Sequence, residues 1–154
     1  MGEVVARYLV KLAGQAPDPR VADQALGSLL GAEDRMIVPA VPLARTVLDG
    51  PLAVLHDGAH RESFLEFSQQ LRKLAILLRA ADGPLRERAA QRVRQMYLGS
   101  GEDGRSEIIW SLGWAHAPDL ADLCARTITD STRASTRLIA AVHLLAAEAG
   151  VIPE

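Results

Sequence analysis

The sequence predicts an all-α protein, a helical array or bundle of eight to nine helices, and three observations carry the prediction. Ala and Leu dominate the apolar residues, 25 and 22 against 11 Val and 7 Ile. They lose least on entering a helix, whereas β-branched and aromatic side chains suit a pleated surface. Aromatic residues are only 4% of the chain. No stretch alternates apolar and polar residues over a strand's length, so no strand is expected. The 154 residues, 49% hydrophobic and 23% charged, suffice for a real core and read as one domain over 1–154.

Turn residues cut the chain into helix-sized pieces. Residues 3–13 form the first, ending near Gly14. Asp18 followed by Pro19 reads as N-cap and first helical position of the next, which Gly31 closes. Pro39 and Pro42 divide 33–49 into a short helix, a kink and another helix. Asp49-Gly50-Pro51 is expected to start a short helix that ends by Gly58. Residues 60–81 make the longest helix, and Asp82-Gly83-Pro84 opens one reaching about Leu98. After the Gly99-Ser100-Gly101 loop come 103–116, 119–129 and 132–149.

The apolar spacing assigns faces. In 60–81, Phe64, Phe67, Leu71, Leu74, Ala75 and Leu78 share one arc, with Leu65 and Ile76 on another. In the next helix Leu85, Ala89, Val93, Met96 and Tyr97 face inward, and Arg88, Gln91, Arg92 and Gln95 outward. The last helix is apolar almost all round, with no charged side chain between Arg137 and Glu148. It must be covered on two sides, by this chain or by another.

Prolines at 17, 51, 84, 118 and 153 recur at intervals of 33 to 35 residues, a spacing that stacked helical pairs produce. The segment Pro118, Leu120, Leu123, Ile128, Asp130, Arg137, Ala140, Ala141, Leu144, Leu145 resembles one repeat of the HEAT family over about thirty residues. Asp18-Pro19-Arg20-Val21-Ala22 and Pro84-Leu85-Arg86 with Ala89-Ala90 echo only the helix openings. The resemblance implies a helical-pair solenoid that binds other macromolecules. Thr136, where the pattern has an aliphatic residue, departs from it, as do Pro39 and Pro42.

Chemistry-bearing motifs are scarce, and no cofactor is expected. Gly99-Ser100-Gly101-Glu102-Asp103-Gly104 spells G-x-G-x-x-G, but a helix precedes it and its two acids repel phosphate, so it reads as an interhelical loop. His56 and His60 are four apart, yet Asp57-Gly58 between them signals a turn and separates them from a shared face. His116 and His143 stand alone. Cys124, beside Leu120, Leu123 and Ile128, reads as a buried thiol. An enzyme reading would need a pocket closing round His143, Arg137 and Glu148. The single cysteine leaves no disulfide.

Charge and surface carry more. The chain's net charge is −2, so bulk attraction to nucleic acid is absent. Residues 61–98 nevertheless hold eight basic side chains against four acidic ones. Arg86, Arg88, Arg92 and Arg94 are therefore candidates for an acidic partner, with nucleic acid the alternative to a protein. Trp110 and Trp114 lie opposite Ile108 and Leu112; they imply burial between layers, or, if exposed, interaction anchors. Leu144 and Leu145 are the candidate contacts of the last helix, for a homodimer or a larger partner. No apolar run is long enough to span a bilayer and no targeting segment is read, so a cytoplasmic, non-enzymatic interaction or scaffold module is the expectation.

Overall fold

The structure, a computed structural model, describes residues 2–116 and 119–150; the side chains of 113–116 are not described. Within those residues every regular element is helical. The order is α1 (Glu3–Gln15), α2 (Pro19–Leu30), α3 (Asp34–Ile37), α4 (Val41–Arg45), α5 (Arg61–Ala80), α6 (Gly83–Gly99), α7 (Glu102–His116), α8 (Ala121–Asp130) and α9 (Ala134–Glu148). Short 3-10 turns at Val38–Ala40 and Thr46–Leu48 flank α4. No described helix is long and apolar enough to cross a membrane.

Local chemistry sets these boundaries. The Asp18 carboxylate accepts the Arg20 N–H at 2.9 Å, with Pro19 opening α2. Pro39 and Pro42 each occupy the second position of a new helical segment. A proline lacks an N–H and clashes with the carbonyl four residues back, so the 33–49 stretch restarts at each one.

The chain forms two compact units. One comprises Met1–Ala53 with His60–Arg92, the other Val54–Ala59 with Val93–Glu154, each within the described residues. In the first, α1 packs on α2, and α2 and α4 pack on α5. Phe67, Leu71, Leu74, Ala75 and Leu78 of α5 are buried, as are Leu26 and Leu29 of α2 and Ile37 of α3. Polar contacts lock α5 to α2. Ser68 donates to the Asp23 carboxylate at 3.0 Å, and Arg72 binds both that carboxylate and the Asp23 carbonyl. Arg79 donates to the carbonyls of Leu30 and Ala32 at 2.6 and 2.5 Å, satisfying acceptors that the end of α2 leaves open.

In the second unit α8 and α9 form a hairpin across a three-residue connection, and α9 also packs on α7. Its core takes Val93, Met96 and Tyr97 from α6, Ile108, Ile109 and Leu112 from α7, Leu123 and Cys124 from α8, and Ala140 from α9.

Three expectations need correction. No helix starts at Pro51: residues 51–60 are non-helical. Side chains satisfy this segment's backbone instead. Gln70 accepts the Ala53 N–H and donates to the Pro51 carbonyl, while Ser100 Oγ accepts the Leu55 N–H at 3.1 Å. Gly58 has φ +75°, which ends the segment in a turn that glycine permits. Phe64 is exposed, because the buried residues of α5 begin only at Phe67. Trp110 is 54% exposed, while Ile108, Ile109 and Leu112 fill the buried side of α7. Trp114's side chain lies outside the described residues, as do Pro118 and Pro153.

Candidate functional site

The G-x-G-x-x-G run illustrates how packing alone can demand glycines. A Cβ on Gly99 would meet Val54 at 2.7 Å, and one on Gly101 would meet the Asp57 carboxylate at 2.9 Å. One on Gly104 would meet Ser100 Cβ at 2.6 Å and the Leu55 carbonyl at 2.9 Å. The three glycines let residues 54–59 lie directly on the α6–α7 junction. Asp57 then accepts the Asp103 N–H at 2.8 Å, so the start of α7 is capped by the chain's own carboxylate. That is where a dinucleotide fold would hold a phosphate.

A small polar pocket lies among Tyr97, Glu102, Arg105, Ser106, Thr127, Asp130, Ser131 and Thr136. Its volume of about 10 Å³ accommodates one water molecule and no substrate. The groups around it bind one another. Tyr97 Oη and Thr127 Oγ1 are 2.8 Å apart, Thr127 donates to the Leu123 carbonyl, and Ser106 is 3.2 Å from Thr136 Oγ1. This is a scaffold network.

The arginines of α6 are partly committed to the fold. Arg92 donates to the Gly50 carbonyl at 2.5 Å. Arg94 binds the Asp122 carboxylate at 3.0 Å and the Asp119 carbonyl at 2.8 Å. Arg88 stands 3.8 Å from Asp49, and Arg86 is exposed.

Cys124 is fully buried, and burial with nearby Asp122 pushes its thiol up to about 11. Thiolate is the reactive form. A disulfide reagent at pH 8 is therefore expected to label the folded chain far more slowly than the urea-unfolded chain; equal rates would show the thiol accessible. His143 is also buried, and that burial lowers its pKa below 6.5. A lowered folded pKa means that the unfolded chain binds the extra proton first, so stability is complete above about pH 6.5. It falls as pH drops below that value towards the folded pKa. Urea titrations at stepped pH check this, with His143→Gln expected to flatten the loss in that window. Arg137 and Glu148 are exposed, so the His143, Arg137 and Glu148 constellation does not converge. Among the described residues no group of three His, Cys, Asp or Glu could hold a metal.

What remains is a surface, and a clamp at the start of α9 creates it. Arg133 pairs with Asp103, which holds that carboxyl below the usual range, and also reaches Ser106 at 3.3 Å. Glu102 accepts from Ser131 and from the Thr132 N–H. Contacts at 103 with 133 and at 106 with 136 run in the same order, so α7 and α9 lie parallel. The clamp fixes the rotation of α9. Thr136, Ala140 and His143 turn inward, and a helix of 3.6 residues per turn must then aim 138, 142 and 145 outward. Leu138 is 67% exposed, Val142 40% and Leu145 68%.

The chain thus covers one side of α9, and among the described residues of the unit none supplies the second cover expected from its sequence. Of the two leucines singled out by sequence, Leu145 lies on the open face and Leu144 is half-buried. Leu138 and Val142 were missed, although their i, i+4, i+7 spacing with Leu145 is visible in the sequence. Trp110 falls on the stripe of α7 that carries Asp103 and Ser106, one turn further on. No family model, curated protein or solved structure matches this chain.

Proposed function

We propose that this chain is a non-enzymatic protein-interaction module, a scaffold of helical pairs in the HEAT style that docks protein on the outer face of α9. The observation that carries the reading is the exposed stripe Leu138, Val142 and Leu145 on a helix clamped in place at its start. A contiguous row of exposed large aliphatic side chains on a rigid element is what an interface core requires. The α8–α9 hairpin and the packed α1–α2 pair support the helical-pair style. Trp110 supplies an exposed aromatic on the neighbouring helix, a residue type enriched at interface hot spots. Arg92 and Arg94 direct donors at the fold's own carbonyls and at Asp122, which favours a protein partner over nucleic acid.

Site-specific photo-crosslinking in cells that make the protein tests the reading. A photoreactive residue at position 145 is expected to give protein adducts above those from the exposed control position 95. Equal or absent adducts at 145 would overturn it.

A further inference from the structure

We infer that the occupant of the α9 face is a second copy of this chain, its α9 packed antiparallel about a two-fold axis at Val142. The inference rests on the docking reading above and adds the partner's identity and register. Charge complementarity carries it. Between Ala134 and Glu148 the helix has two permanently charged side chains, Arg137 near its start and Glu148 at its end, both exposed.

They are eleven residues apart, about three full turns, so they stand on one flank of the apolar stripe. The opposite flank holds the uncharged Ser135, Ile139 and Ala146. In an antiparallel pair, flanks of the same side meet; in a parallel pair, opposite flanks meet. An antiparallel dyad at Val142 places Leu138 against the partner's Leu145, and Val142 against the partner's Val142. The same operation sets Arg137 beside the partner's Glu148 at both ends. A parallel pair would leave both charges facing uncharged side chains. Ala134, Ala141 and Ala149 beside the stripe are small and permit close approach, and opposed helix dipoles favour the same orientation. The pairing is isologous and closes on itself, as a two-fold dimer must. One helix face lies at the low end of interface sizes, so dissociation on the order of micromolar is expected.

Sedimentation velocity of the full chain across the micromolar range tests the inference. The wild type is expected to shift from monomer to dimer with concentration. Leu145→Glu should run as a monomer with unchanged far-UV circular dichroism, and Leu138→Glu should repeat that result at an independent position. Arg137→Glu or Glu148→Arg should each weaken the dimer several-fold, and the two together should restore it, since the swapped charges again face opposites. A wild type that stays monomeric would overturn the inference. A dimer indifferent to both glutamates, or a double swap that fails to rescue, would do the same. Photo-adducts to a different protein alongside a monomeric wild type would remove self-association and leave the docking reading standing.

Discussion

Tyr97→Ala is expected to destabilise the Val54–Ala59 and Val93–Glu154 unit by about 3–5 kcal/mol, the range for deleting a large buried aromatic. Tyr97 is among the largest fully buried side chains. Its ring lies 5.0 Å beneath the Arg105 guanidinium, which donates to the Tyr97 and Ser100 carbonyls at 3.0 and 3.1 Å. Arg105 therefore both covers the ring and satisfies acceptors at the end of α6. Truncation leaves a cavity and removes the surface on which that guanidinium rests. Tyr97→Phe keeps the ring and loses only the hydroxyl's contact with Thr127, whose own donation to the Leu123 carbonyl persists. It should cost about 0.5–1.5 kcal/mol. Urea denaturation of both variants checks the pair. Similar losses in the two would show that the hydrogen bond, rather than packing, dominates at this position.

Gly104→Ala should destabilise the same unit by about 1–3 kcal/mol through overpacking. A helical Gly→Ala change ordinarily gains up to about 1 kcal/mol, so the sign depends on whether the neighbours can move. They are held. The Leu55 carbonyl, 2.9 Å from the new methyl, accepts the Gly101 N–H at 2.9 Å, and the Leu55 N–H is bound to Ser100. Ser100 itself donates to the Met96 carbonyl at 2.6 Å. Backbone pinned on both sides cannot give way cheaply, and the steric cost wins. Gly83→Ala, where nothing lies within 4 Å, is the control and should be neutral or stabilising. A stabilised Gly104→Ala would refute the close approach of residues 54–59.

Much of the helical order was legible because its signals are local. Asp18-Pro19 starts α2, Pro39 and Pro42 segment 33–49, and the apolar spacing of α6 marks Val93, Met96 and Tyr97 as buried. The 51–60 segment was not legible. Its turn signal, Asp57-Gly58, is plain, but Gln70, Ser100 and Gly101, which satisfy its backbone, lie 15 or more residues away and only the fold brings them there. The glycine run was legible as a break between helices, although only Ser100 and Gly101 lie outside α6 and α7, and its cause, the crossing of Val54, Leu55 and Asp57, was not.

The candidate site shows the same division. The apolar surplus of α9 is a property of composition and could be read directly. Which face stays open depends on helix rotation, and Arg133, Asp103, Ser106 and Thr136 set that rotation through contacts about thirty residues apart in sequence. Leu145 was therefore found, while Leu138 and Val142 were not. The basic character of 61–98 was equally plain. That Arg79, Arg92 and Arg94 would be directed at backbone carbonyls was invisible to a count of charges.

Oxidative cross-linking of Val142→Cys tests the self-docking of α9 most directly. A two-fold axis at this position brings the two introduced thiols face to face, within the separation that a disulfide spans. In the same arrangement, two Arg137→Cys thiols lie about 15 Å apart along the helix axis, at 1.5 Å per residue. Mild oxidation is predicted to convert Val142→Cys into a covalent dimer on non-reducing gels and to leave Arg137→Cys monomeric, with buried Cys124 silent in both. No covalent dimer from Val142→Cys, or equal yields from the two variants, would contradict the account.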